Sequence, residues 1–183
     1  MATLAAVLLA NADGQTARTI STLLAARRDG GRMLALYFAA FAVLAAVSAT
    51  GAMLAARSLG VGVLSLMAAM ALASAAAALV IPRRSDMEFK AATDGSPTRM
   101  FVRFLLYQLG DRNQFLIFGL GALSGAALWG IAGGAAGLLV AMLPVAAFGP
   151  ALLDGKRARH LRWLAAAVLM IWALVYLRRA FGV

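Results

Sequence analysis

The chain has no cysteine and a single histidine, and its 7 acidic residues are outnumbered by 17 lysines and arginines. Without cysteine there are no disulfides, no thiol chemistry and no thiolate metal site. His160 sits in the basic run DGKRARHLRW, where a solvated or headgroup-level imidazole is expected rather than a ligand. No phosphate-binding glycine loop, nucleophilic triad or metalloprotease pattern occurs, so neither an enzyme nor a bound cofactor is expected. The net charge of +10 would suit nucleic acid, but the cations gather at the ends of apolar runs, the pattern of membrane orientation. The first apolar stretch lacks a basic leader, so it reads as a membrane helix rather than a cleavable signal.

Long polar stretches are scarce too. Of the 183 residues 63% are hydrophobic, and the mean hydropathy is +0.88. Runs long enough to cross a bilayer recur along the chain, which indicates an all-α integral membrane protein. Six transmembrane helices are expected. The first covers about Thr3 to Ala26 and is interrupted by NADGQTAR. The second and third cover about Met33 to Ala56 and Leu59 to Ile81, with Pro82 as the stop. PRRSDMEFKAATDGSPTR, residues 82–99, is the only long polar linker. The fourth helix covers about Met100 to Leu123, the fifth about Ala126 to Ala147 and the sixth about Arg159 to Tyr176. Trp163, Trp172 and Tyr176 are interface anchors.

The first, third and fifth connections hold Arg27, Arg28, Arg32, Arg83, Arg84, Lys90, Arg99, Lys156, Arg157, Arg159 and Arg162. The opposite side holds Arg57, Arg178 and Arg179. This bias puts the 82–99 linker in the cytoplasm and both termini outside, in a multi-pass protein of the inner (plasma) membrane. Helices one and four alone have polar centres, which begin at Asn11 and Gln108, about half the chain apart. Residues 1–81 and 100–183 thus read as two three-helix repeats. Three is an odd number of crossings, so the repeats are inverted, as in many secondary transporters. Glycine pairs Gly121/Gly125, Gly130/Gly134 and Gly133/Gly137 mark close helix packing, within the chain or with a partner.

The stretch YQLGDRNQF, residues 107–115, places polar side chains where hydrocarbon makes them costly. QLGDRNQF, with its half-degenerate counterpart near residue 11, resembles the Gdt family of manganese/calcium transporters in the lysine-exporter-like superfamily. That family carries Glu-x-Gly-Asp-Lys/Arg-Thr/Ser once in each three-helix repeat. The resemblance implies exchange of Mn or Ca for protons at a site built by the motif acids. Gly110, Asp111, Arg112, Gln114 and Phe115 fit the second copy, while Gln108 replaces the glutamate and Asn113 the Thr/Ser. In the first copy Asn11 replaces the glutamate, Asp13-Gly14 reverses the Gly-Asp order, Gln15 replaces the basic residue and Thr16 fits.

The candidate metal residues implied by the resemblance are Asp111, Asp13, Gln108 and Asn11, with Arg18 and Arg112 as charge partners and Arg103 nearby. Mn and Ca prefer several oxygen ligands including carboxylates, and here at most two carboxylates are on offer. On a helix, Asp13 would be turned by about 100° by its early position. The amides Asn11 and Gln108 either offer oxygens to a cation or bond each other across the helices. Asp111 either serves transport or pairs with Arg18 or another nearby arginine. Two functions stay open: a Gdt-type antiporter with a partly lost cation site, or a non-transporting accessory subunit packed in a larger membrane complex. Expected partners are the bilayer, Mn or Ca, and a homodimer or larger complex, with no nucleic acid.

Overall fold

The computed structural model describes residues 1–26, 29–81, 96–148 and 156–182. They form eight helices: α1 (Ala2–Ala10), α2 (Gln15–Ala26), α3 (Gly30–Ser58), α4 (Val61–Val80), α5 (Pro97–Gln108), α6 (Arg112–Ser124), α7 (Ala127–Phe148) and α8 (Lys156–Phe181). Among the described residues there is no strand. Among the described residues, four helices are long and apolar enough to cross a membrane: Gly31–Ser58, Val61–Val80, Ala127–Pro144 and Ala158–Phe181. The chain is a multi-pass membrane protein of helices, and these four match the expected second, third, fifth and sixth spans closely.

The expectation of an unbroken fourth helix is corrected. Residues 109–111 interrupt it, between α5 and α6. The first interruption is shorter than the quoted NADGQTAR and covers only residues 11–14. Gly14 has φ of +65°, a conformation that carries no steric cost for glycine alone. The polar linker at residues 82–95 lies outside the described residues. Its end is visible: Ser96 caps α5 and accepts from the Arg99 amide, with Pro97 at the first helical position, where its missing N–H costs nothing.

The helices bury themselves by spacing. On α5, Met100, Phe104 and Gln108 repeat every four residues and all point inward. On α4, Leu64, Ala68, Ala71, Leu72, Ala75 and Leu79 form the inner stripe. Small residues let backbones meet: a Cβ on Gly137 of α7 would stand 2.6 Å from the Leu4 carbonyl oxygen of α1, and one on Gly119 of α6 3.2 Å from the Met67 carbonyl oxygen of α4. Gly133 and Gly137 thus pack against α1 and Gly134 against Ile117, whereas Gly125 of the Gly121/Gly125 pair has no neighbour within 4 Å and ends α6 with φ of +65°.

The packing scheme is reciprocal in part. α1 lies on α7, and α5 lies on α3; α2 touches α3 and α7, and so does α6. α3 meets α7 and α4 meets α8. Exchanging α1–α4 with α5–α8 leaves these pairings unchanged, but α6 also packs on α4, and α1 on α6 and α8, with no counterpart of similar extent among the described residues. Asn11, Gln108 and Asn113 lie in the interior of the resulting bundle, while Leu109 and Gly110 of the second break are exposed.

Candidate cation site

The two breaks together bring four helix ends to the centre. α1 and α5 arrive with their carbonyl ends, and α2 and α6 depart with their N–H ends. A helix N-terminus carries partial positive charge, and an aspartate stands at each of these two. Asp111 is the N-cap of α6, in extended conformation (φ −73°, ψ 140°). Asp13 precedes α2, and its Oδ1 accepts from the Gln15 amide at 3.2 Å, closing a local turn that breaks the helix. The reversed Asp13-Gly14 order thus does not rotate Asp13 about a helix, because this segment is not helical.

The two breaks are joined side chain to side chain. Arg112 gives Nη1 to Asp13 Oδ2 at 2.8 Å and Nη2 to Asp13 Oδ1 at 2.7 Å, a two-pronged ion pair. The pair is withdrawn from solvent, with side-chain exposures of 9% for Arg112 and 4% for Asp13. Beside it, Asn11 donates to Asn113 Oδ1 at 2.8 Å and to the Val7 carbonyl at 2.7 Å. Thr16 donates to Asn11 Oδ1 at 3.0 Å, and Asn113 donates to Asp111 Oδ2 at 2.6 Å.

These contacts settle the open pairings. Asn11 and Gln108 do not bond each other: Asn11 takes Asn113, and Gln108 donates to the main-chain carbonyl of Tyr37 at 3.2 Å. Asp111 bonds Asn113, while the arginine of its own break serves Asp13. Arg18 stands one turn into α2, its amide bonded to the Gly14 carbonyl at 2.9 Å. Asn113, the residue in place of the family's Thr/Ser, turns out to be the hinge of the network, touching both halves. The sequence signalled its polarity but not its reach. The Tyr37 carbonyl carried no signal, since any residue supplies one.

The oxygen supply follows. Both oxygens of Asp13 are occupied by Arg112, and one oxygen of Asp111 by Asn113. Gln108 is fully buried and its Oε1 has no hydrogen-bond partner. Among the described residues, no three acidic or histidine side chains gather as a metal-binding group. The arrangement joins a broken helix from each half through buried polar side chains, and such breaks hold ion sites in secondary transporters.

Residues 98–183 match the family model described as divalent cation/proton antiporter GDT1. That C-terminal segment is similar to the Gdt family. The matched span takes in α5 to α8 and therefore Gln108, Asp111 and Arg112; Asn11 and Asp13 lie ahead of it. No curated protein and no solved structure matches the chain. The Gdt match supports a cation-antiporter-like membrane protein.

Proposed function

We propose that the chain is a six-crossing Gdt-type protein of the inner membrane whose Mn/Ca–proton antiport site is partly lost. In this reading α1 with α2, and α5 with α6, each make one crossing. At 1.5 Å per residue each pair extends to about 30 Å or more end to end, the thickness of a hydrocarbon core. The part of the helix packing that is reciprocal supports two inverted repeats. The lysine and arginine bias supports a cytoplasmic 82–95 linker and outward termini.

The observation that carries the reading is the Asp13–Arg112 pair, lodged between the two breaks where the family resemblance puts the cation. A divalent ion there meets Asp13 already neutralised, Asp111 partly engaged, and the amides Asn11 and Gln108 in place of two glutamates. Hard cations want charged oxygens, so wild-type Mn and Ca transport is expected to be weak or absent. Asn11→Glu together with Gln108→Glu restores two negative charges and should raise Mn flux in proteoliposomes. Robust wild-type transport that Asp111→Asn abolishes would overturn the lost-site reading. No flux from either form would favour the second reading, an accessory subunit of a larger membrane complex, because a site closed by its own arginine suits a packing role.

A further inference from the structure

Arg112 stands between two environments. On one side its guanidinium holds both oxygens of Asp13. On the other it lines a groove of about 670 Å³ between α3, α4 and α6. Most of that groove is apolar, with Met67 and Phe118 among its walls, but its floor carries Ser48 and Gln114. Gln114 is 5% exposed, its Oε1 accepts from Ser48 Oγ at 3.3 Å, and its Nε2 has no partner. A half-used carboxamide buried at the bottom of an apolar groove is costly unless something visits it.

We propose that Arg112 is a tethered competitor for the cation, resting on Asp13 in the empty site and withdrawing to the groove floor beside Ser48 and Gln114 when a divalent ion takes Asp13. The proposal rests on the Gdt-type reading above and names the residue that sets its affinity. A divalent ion needs the Asp13 oxygens that the guanidinium now holds, and a fixed positive charge beside them repels it as well. The groove supplies the space for withdrawal. Rotating the Gln114 carboxamide end for end turns its oxygen toward the groove, where a guanidinium, which only donates, finds an acceptor. Ser48 Oγ offers a second. The groove floor holds no carboxylate, so the withdrawn arginine is poorly compensated and rests on Asp13 whenever the site is empty.

The test uses the full chain in detergent micelles, with Mn²⁺ as the probe, titrated calorimetrically and by its effect on thermal unfolding. Arg112→Gln should bind Mn²⁺ at least roughly ten-fold more tightly than wild type, the scale on which one neighbouring charge acts on a buried site. Its unfolding midpoint should also rise with Mn²⁺, since a ligand of the folded state alone stabilises it. In the Asn11→Glu, Gln108→Glu background, Ser48→Ala with Gln114→Leu should weaken Mn²⁺ binding, because the arginine loses its second resting place. A folded Arg112→Gln that binds Mn²⁺ no more tightly than wild type overturns the proposal. If that variant does not fold, Arg112→Lys decides: it makes one contact where arginine makes two, and affinity at or below wild type overturns the proposal. Failure of the Gdt-type reading looks different, because the restored-acid variant is then blind to Mn²⁺ as well.

Discussion

At the scale of single residues, a buried charge pair is asymmetric in its energetics. Forming it gains little, but deleting one partner leaves the other charge stranded, at about 3–5 kcal/mol. Asp13→Asn should therefore lower stability by about that much. Asp13→Asn with Arg112→Gln, which removes both charges, should recover most of it. Thermal unfolding in micelles of the two variants beside wild type makes the comparison, and equal losses in both would contradict it. The residue types of this pair were legible in the sequence, and so was the idea that arginine offsets aspartate. Which arginine meets which aspartate was not, because that depends on how two segments about half a chain apart are brought together. Arg112 reaches across to the other half although Asp111 is its own chain neighbour.

At the scale of elements, the long helices were legible because their apolar runs are uninterrupted. The expected 33–56, 59–81 and 126–147 spans differ from Gly30–Ser58, Val61–Val80 and Ala127–Phe148 by a few residues at their ends. The break in the fourth span was not, because a Gly-Asp pair inside an apolar stretch is compatible with a continuing helix on periodicity alone. It becomes a break when Asp111 takes extended dihedrals and caps a new helix. The glycine spacing was read as packing, and the structure adds the counterpart. A methyl at position 137 would meet the Leu4 carbonyl oxygen at 2.6 Å and Val7 Cβ at 3.1 Å, so α7 would have to lift from α1. Gly137→Ala is expected to cost about 1–3 kcal/mol, the usual range for overpacking. Gly31→Ala meets nothing within 4 Å, sits inside α3, and should be neutral or gain up to about 1 kcal/mol from helix propensity. Unfolding midpoints of the two variants should separate in that order.

At the scale of the whole molecule, the charge bias sets an expected orientation, since positive residues resist transfer across the membrane. The prediction is that single cysteines at Ser85 and at Val183, in a chain that otherwise has none, label from opposite sides of the membrane. Labelling of both from one side would contradict the six-crossing topology. Both positions lie outside the described residues, so the test is independent of the helix packing. The contacts between halves add what charge cannot: Asn11 and Asp13 of one half meet Asn113 and Arg112 of the other. The 98–183 segment expressed by itself would lack Asn11, Thr16 and Asp13.

The hydrogen bonds at the two breaks also have a direction. Asn11 must present its nitrogen to the Val7 carbonyl, and Asn113 must present its nitrogen to the Asp111 carboxylate, because those partners only accept. Every donor from Thr16 through Asn11 and Asn113 therefore points toward Asp111. Such a chain orders dipoles but conducts nothing, for a carboxamide passes on a proton only by becoming an imidic acid. A proton bound for Asp111 must reach it as water or hydronium, by a route that bypasses both asparagines. Proton access to this carboxylate is then a matter of wetting.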